Sequence, residues 1–322
     1  VVEDRGITPI EGGETDSRDI VCPAVVNAPT LIGDSIAKEA GRGLSLDELV
    51  APPDGLKHRL LADATREELV EAMRRSLAFM ESGGTTAFLE FREGGVDGVQ
   101  ALLDATARLD IEPFVFGREE IDVLEVADGY GASGARDADF SAERNAALRA
   151  EKPFGIHAGE RDPHDINPAL DLEPDFVVHM VYAEEMHLER LADSETPVVV
   201  CPRSNLVTDV GVPPVSDLLE RTSVALGTDN VMLNSPSMFR EMEFTAKLCD
   251  VTAPEVLRMA TAAGADIVGG NFGVVEPGRE ARLLVLDGDS DNLTGARDPV
   301  RAVVRRAGVD DVKRVVTPRD SA

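Results

Sequence analysis

Tryptophan is missing from this 322-residue chain, tyrosine occurs twice, and aromatic residues make up 4% of it. Glycine and alanine abound, and short apolar runs alternate with polar helical stretches, a pattern that favours an α/β protein over an all-β one. Lysine is also scarce. Only five of the 32 basic residues are Lys, against 60 Asp and Glu, for a formal charge of −28. This balance lacks the basic surface needed to grip a nucleic-acid backbone. Dense carboxylates with little lysine suit a surface that stays hydrated in very high salt, where self-repulsion reaches only ~3 Å at 1 M. A merely acidic cytoplasmic protein is the alternative.

Three further absences narrow the class. Cys22, Cys201 and Cys249 lie far apart without CxxC spacing, which excludes a disulfide scaffold and a zinc finger. No uncharged apolar window approaches the ~18 residues of a membrane span, so no membrane partner is expected. The opening VVEDRGITPI has no positive segment before an apolar core, so it does not read as a signal peptide, and a cytoplasmic location is expected. That opening also lacks Met and reads like the middle of a β-element, so an upstream strand is expected.

What is present is a rhythm. DIVCPAVVNA reads as one buried strand. Residues 66–82 place Leu69, Met73, Leu77 and Met80 at helical spacing before Gly83-Gly84. TTAFLEF is a strand, 96–109 a helix, IEPFVFG a strand, and IDVLEVADGYGASG a strand ending in a glycine-rich loop. Ser141 is a candidate cap for the helix SAERNAALRA. PFGIHAGE, DFVVHMV, TPVVVCPRSN and SVALGTDN follow as strands with helices between them.

Strand–helix alternation means parallel strands covered by helices. About eight strands from residue 21 onward point to a closed (β/α)8 TIM barrel. An open doubly wound sheet is the rival, but neither GxGxxG nor GxxxxGK follows the first strand. The barrel is expected over 21–271. Residues 1–20, with a turn at Gly12-Gly13, and 272–322 read as β-segments that pair into a small β-sandwich, with DPVRAVVRRAGVDDVKRVV giving a final pair of strands or a strand after a turn.

In such a barrel the active face lies at the C-terminal strand ends. His157, Glu160, His179 and Asp229 all fall there. A histidine within an apolar strand is costly unless bonded or ligating. Taken singly, each is as readily structural as ligating. Together His157, His179 and Asp229 can hold one divalent transition metal, zinc foremost. Glu160 can shuttle a proton, and Asp229 can orient water. Ser204 and Asn205 either bond the backbone or contact substrate, and Tyr182 offers a phenol. Cys201 lines the pocket or packs in the core. His58, His164 and His187 are weaker candidates, with His164 and His187 expected at the surface.

CPRSN at 201–205, VALGTDN at 224–230, FREMEFTAKL and VEPGREARLLVLD, in this order, resemble the amidohydrolase superfamily. They are most similar to its branch of chlorohydrolases, nucleobase deaminases and S-adenosylhomocysteine deaminases. The resemblance spans nearly the whole chain and implies a barrel flanked by a terminal β-sandwich. It implies metal ligation by His157, His179 and Asp229, catalytic roles for Glu160, His179 and Asp229, a small-molecule substrate, and compatibility with a homodimer. The branch carries a His-x-His pair at the end of its first barrel strand. Here NAPTL puts Pro29 and Leu31 at those positions. Tyr182 replaces a further histidine, and a metal-bridging lysine has no evident counterpart.

Two main readings follow. One is a hydrolase acting on C–N or C–Cl bonds of a purine, pyrimidine or triazine-like ring, with one weakly held metal. The other is a catalytically degenerate relative that binds a small ligand or is structural, without metal. A metal-independent ring opening is a third reading that no residue selects.

Overall fold

A computed structural model describes residues 2–3, 6–7, 15–50 and 54–318. Eight parallel strands form the barrel wall: Val25–Leu31, Thr85–Arg92, Glu112–Gly117, Gly129–Ala132, Phe154–Ala158, Phe176–His179, Val198–Val200, and an eighth in two pieces, Val224–Leu226 and Asp229–Asn230. Each pairs with the next. The ring closes where Asp229 lies opposite Thr30 and Asn230 opposite Leu31. Gly227 makes this seam feasible. A Cβ there would come within 2.4 Å of Ala28 and Pro29 backbone atoms, so only glycine lets the two strands approach.

The barrel lumen is filled rather than hollow. Leu89, Phe91, Phe116, Phe176, Val178 and Val199 form one buried cluster within it, as expected of inward layers in this architecture. A larger cluster lies between the strands and the outer helices. Helix Arg66–Ser82 buries Met73, Leu77 and Met80, and Thr65 and Glu68 close its N-terminus as a capping box.

DIVCPAVVNA is two strands rather than one. Ile20–Pro23 pairs antiparallel with Leu283–Leu286, which also pairs with Val312–Val316 in a small three-stranded sheet. Val25–Leu31 then enters the barrel. The break falls at Ala24, whose N–H turns to Arg282 O while that of Val25 turns to Gly84 O. Val2–Glu3 and Gly6–Ile7 form a short antiparallel pair; the turn expected at Gly12-Gly13 lies outside the described residues.

Three other expectations need correction. Ile121–Glu125 is a helical turn, and the strand there is only Gly129–Ala132. Val123 and Leu124 are buried side by side, which a helical turn allows and period-two alternation does not. Pro299–Arg305 is a helix preceding the last strand, not the first of a strand pair. Asp298 accepts from Arg301 N and Pro299 occupies the first turn, and these start signals outweigh the β-propensity of the valines. Ser141 lies inside its helix, with its N–H and hydroxyl both held by Asp139 Oδ1, so it is not the cap. Among the described residues no helix is long and apolar enough to cross a membrane.

Candidate active site

The fifth, sixth and eighth barrel strands carry His157, His179 and Asp229 at or next to their C-terminal ends. One ligand atom from each lies within 4.8 Å of the others. Two of the three residues have left-handed backbone, with φ of 78° at His179 and 54° at Asp229. Non-glycine residues seldom adopt that region, and such strain concentrates at functional sites.

His157 Nδ1 donates to Ala132 O at 2.9 Å. A carbonyl only accepts, so Nδ1 carries the proton and Nε2 keeps a free lone pair. Burial, then the charges of Arg118 and His179, hold the His157 pKa well below its ordinary range, so the ring stays neutral as a ligand must. Asp229 Oδ2 accepts from Ser204 Oγ at 2.5 Å. His179 Nδ1 lies 3.1 Å from the Asn205 side-chain amide nitrogen, and Asn205 Oδ1 is buried without a partner. Turning that amide would bring Oδ1 to a His179 Nδ1–H and free Nε2 as a donor. The donor set therefore fits one tetrahedral or higher-coordinate transition metal with positions left for solvent.

Glu160 Oε2 is 3.7 Å from His179 Nε2. Burial raises its carboxyl above the usual range, with the His179 charge opposing and the Asp229 charge adding to the rise. The segment CPRSN is anchored from below. Arg203 N and Nε reach the two oxygens of buried Glu241 at 2.9 and 2.6 Å, and Arg203 donates to Ser235 O. This pair sets the start of helix Pro202–Val207, and with it Ser204 and Asn205.

The structure sorts the sequence candidates. His157, Glu160, His179, Ser204 and Asp229 line one cavity. Asn205 lies behind His179. Tyr182 is exposed and is not among the residues lining the cavity; the chain turns just before it at Met180, which also has positive φ. Cys201 is buried in the lumen cluster. His164 is at the surface. His187 is buried, correcting the expected solvated position, because its Nδ1 accepts from Glu184 N at 3.0 Å and closes the start of its helix.

Leu31 is part of the cavity wall, so the substituted strand-one position does face the site. Sequence reasoning missed the adjoining charges. Lys57, 3% exposed, bridges Glu93 Oε1 at 2.7 Å and Asp34 Oδ2 at 3.3 Å. Arg118 reaches the same Glu93 oxygen at 2.9 Å and donates to Gly131 O. Lys57 and Arg118 both line the cavity. Burial pushes Asp34 up to about 6. Burial pulls Glu93 upward too, but Lys57, Arg118 and Arg92 outweigh it and hold that carboxyl well below the usual range. Glu90, pushed up to about 8 mainly by burial, accepts from Thr30 Oγ1 and Ile32 N and shapes the turn after Leu31. The available signal for Lys57 is rarity, one lysine of five in the chain.

The sequence profile described as the amidohydrolase family matches residues 112–316. A putative aminohydrolase of Methanothermobacter thermautotrophicus is 35% identical over 90% of this chain and 83% of its own. A 5-methylthioadenosine/S-adenosylhomocysteine deaminase of Haloarcula marismortui is 29% identical over 94% of this chain and 81% of its own. Among solved structures, the zinc complex of an atrazine chlorohydrolase from Arthrobacter aurescens superposes with a TM-score of 0.79 at 17% identity, covering 99% of this chain and 88% of that one. This last likeness speaks for the fold alone.

Proposed function

Because the chain belongs to the amidohydrolase family, we propose that it is a hydrolase that uses activated water to break a C–N bond, or a C–Cl bond, on a purine, pyrimidine or triazine-like ring. The observation that carries this reading is the convergence of His157, His179 and Asp229 beside Glu160. His157, His179 and Asp229 would hold one divalent transition metal, zinc by the character of the donors. When bound, that ion would lower the pKa of a water toward ~7 and make hydroxide available.

The chain's own groups supply the rest. Asp229, with Oδ2 fixed by Ser204, has its other oxygen free to orient water. Glu160, whose pKa burial brings closer to neutrality, can take a proton and deliver it to a departing amine. His179 can stabilise charge that develops at the attacked carbon's substituent. Ser204 is placed to contact substrate in the cavity, whereas Asn205 acts through His179.

Leu31 on the cavity wall supports a second reading, a degenerate relative that binds a small ligand without metal. One experiment separates the two. Purified protein would be assayed for bound zinc, cobalt and manganese, then for ammonia release from a panel of aminopurines, aminopyrimidines and their nucleosides, and for chloride release from chlorotriazines. The hydrolase reading expects about one metal per chain and turnover lost in His157→Ala and in Glu160→Gln. Ligand-induced stabilisation without metal or turnover would favour the degenerate reading.

A further inference from the structure

Apart from the active-site cavity, a groove of about 660 Å³ is lined by Lys247, Arg297, Arg301, Arg305 and Arg306, with Glu243 and Asp298 as its acidic residues among the described residues. None of its lining residues belongs to the active-site cavity. In a chain whose formal charge is −28, this surface carries the opposite sign. We propose that the groove is a binding site for a polyphosphate group, the di- or triphosphate of a nucleotide or a free inorganic chain.

Acidic residues outnumber basic ones nearly two to one, 60 against 32, so a surface arginine has partners close at hand. Arg18, Arg66, Arg74, Arg75, Arg136 and Arg190 each pair with a carboxylate, whereas scattered arginines such as Arg42, Arg108, Arg149 and Arg258 make no ion pair among the described residues. What sets the groove apart is therefore the grouping of four such arginines around one concavity. Arg297, Arg301, Arg305 and Arg306 make no ion pair among the described residues. Lys247 pairs with Glu243, and Asp298 accepts from Arg301 N as a helix cap; neither acid makes an ion pair with the four arginines among the described residues.

Arg301 and Arg305 stand four residues apart on helix Pro299–Arg305. Like charges at that spacing repel along one helix face. A cation in the last helical turn has an ordinary explanation in the helix dipole, and that covers Arg305. It does not cover Arg301 in the first turns, nor Arg297 before the helix. The helix itself is firmly seated, with Ala302, Val303 and Val304 buried in the main core cluster. The arginines are therefore presented on a rigid support.

Guanidinium forks match phosphate oxygens two at a time. Several forks around a concavity favour a chain of phosphates over a single one. The room available lies within the range of small-ligand sites. A second copy of this acidic chain is the competing occupant, but a concave groove suits a compact anion better than a flat acidic face.

The test is calorimetric titration of the full chain with inorganic tripolyphosphate, ATP and orthophosphate, without divalent metal, at the lowest KCl that keeps it folded and again at higher KCl. Tripolyphosphate and ATP should bind with similar affinity, orthophosphate far more weakly, and affinity should fall as KCl rises. Arg301→Ala with Arg305→Ala should weaken tripolyphosphate at least roughly tenfold, since two charged forks are lost. Arg149→Ala, an exposed arginine on another helix, should leave it unchanged. Absence of tripolyphosphate binding at every salt, binding of ATP alone, or equal weakening by Arg149→Ala would each overturn the proposal. So would a double variant that alters only self-association measured by light scattering, which would make the groove a contact between copies.

Discussion

The Ser204 hydroxyl donates to Asp229 Oδ2 across 2.5 Å, joining the helix Pro202–Val207 after the seventh strand to the second piece of the eighth. Hydrogen bonds behind a metal ligand set its orientation and basicity. Ser204→Ala should therefore lower zinc affinity about 10–100-fold while leaving the fold intact. Competition against a chelator of known affinity measures this. Unchanged zinc affinity would mean that Asp229 does not ligate, or that its orientation comes from elsewhere.

Leu31 offers a gain-of-function test. It lines the cavity, and its neighbour across the seam is Asn230, one residue beyond Asp229. Leu31→His should add a donor to the three already converging and tighten zinc by at least roughly tenfold, and Pro29→His with Leu31→His should tighten it further. Both variants exchange buried apolar side chains for a polar ring, so apo stability should drop by ~1–3 kcal/mol and recover on adding zinc. Tm measured with and without the metal reports both effects. A variant that loses apo stability without regaining it on zinc addition would show that position 31 does not point at the ion.

Much of this arrangement could be read from residue order. Strand-terminal His157, His179 and Asp229 announce themselves because polar groups at the ends of apolar runs need partners, and parallel strands share one active end. The Lys57–Glu93–Arg118 cluster could not be read that way. Its members are 25 to 61 residues apart, Lys57 on the helix Leu56–Asp63 and Glu93 and Arg118 just past the ends of two strands, in polar segments where charge ordinarily means solvent. Only the folding of the loop after the first strand over the second and third strand ends buries them. Local competition explains the other misses. Cap residues turned Pro299–Arg305 into a helix despite its valines, and a ring nitrogen accepting from backbone pulled His187 inside.

Glu160 makes the site's pH behaviour predictable in sign. Its folded-state pKa is raised, chiefly by burial. The protonated carboxyl is tolerated at low pH, and the penalty for the buried charge grows as pH rises through the raised value. Glu160→Gln removes that penalty. Relative to wild type, it should gain Tm progressively from acidic to neutral pH and show no advantage below the ordinary carboxylate range. Thermal melts of both proteins across pH, with metal removed, decide it. A difference that stays constant or shrinks with rising pH would contradict the assigned shift.

The Asp34–Lys57–Glu93 cluster separates two effects that a single substitution would blur. Lys57 is the counter-charge for both carboxylates, so Lys57→Met should cost ~3–5 kcal/mol by leaving buried charge uncompensated. Asp34 behaves differently. Its carboxyl, near 3.8 when unfolded, is pushed up to about 6 by burial, against the pull of Lys57. A raised carboxylate contributes stability that is full below about 3.8 and is lost as pH rises through about 6. Asp34→Asn should therefore compare most favourably with wild type above pH 6 and least favourably near pH 4. In the double variant Lys57→Met with Asp34→Asn, part of the Lys57→Met loss should return, because Asp34, whose ion pair is with Lys57, is gone, while Glu93 keeps Arg118. Chemical denaturation of all four proteins at both pH values gives the full cycle. If the two losses simply add, Asp34 and Lys57 do not form a working pair, and the charge balance at the cavity floor rests on Glu93 and Arg118 alone.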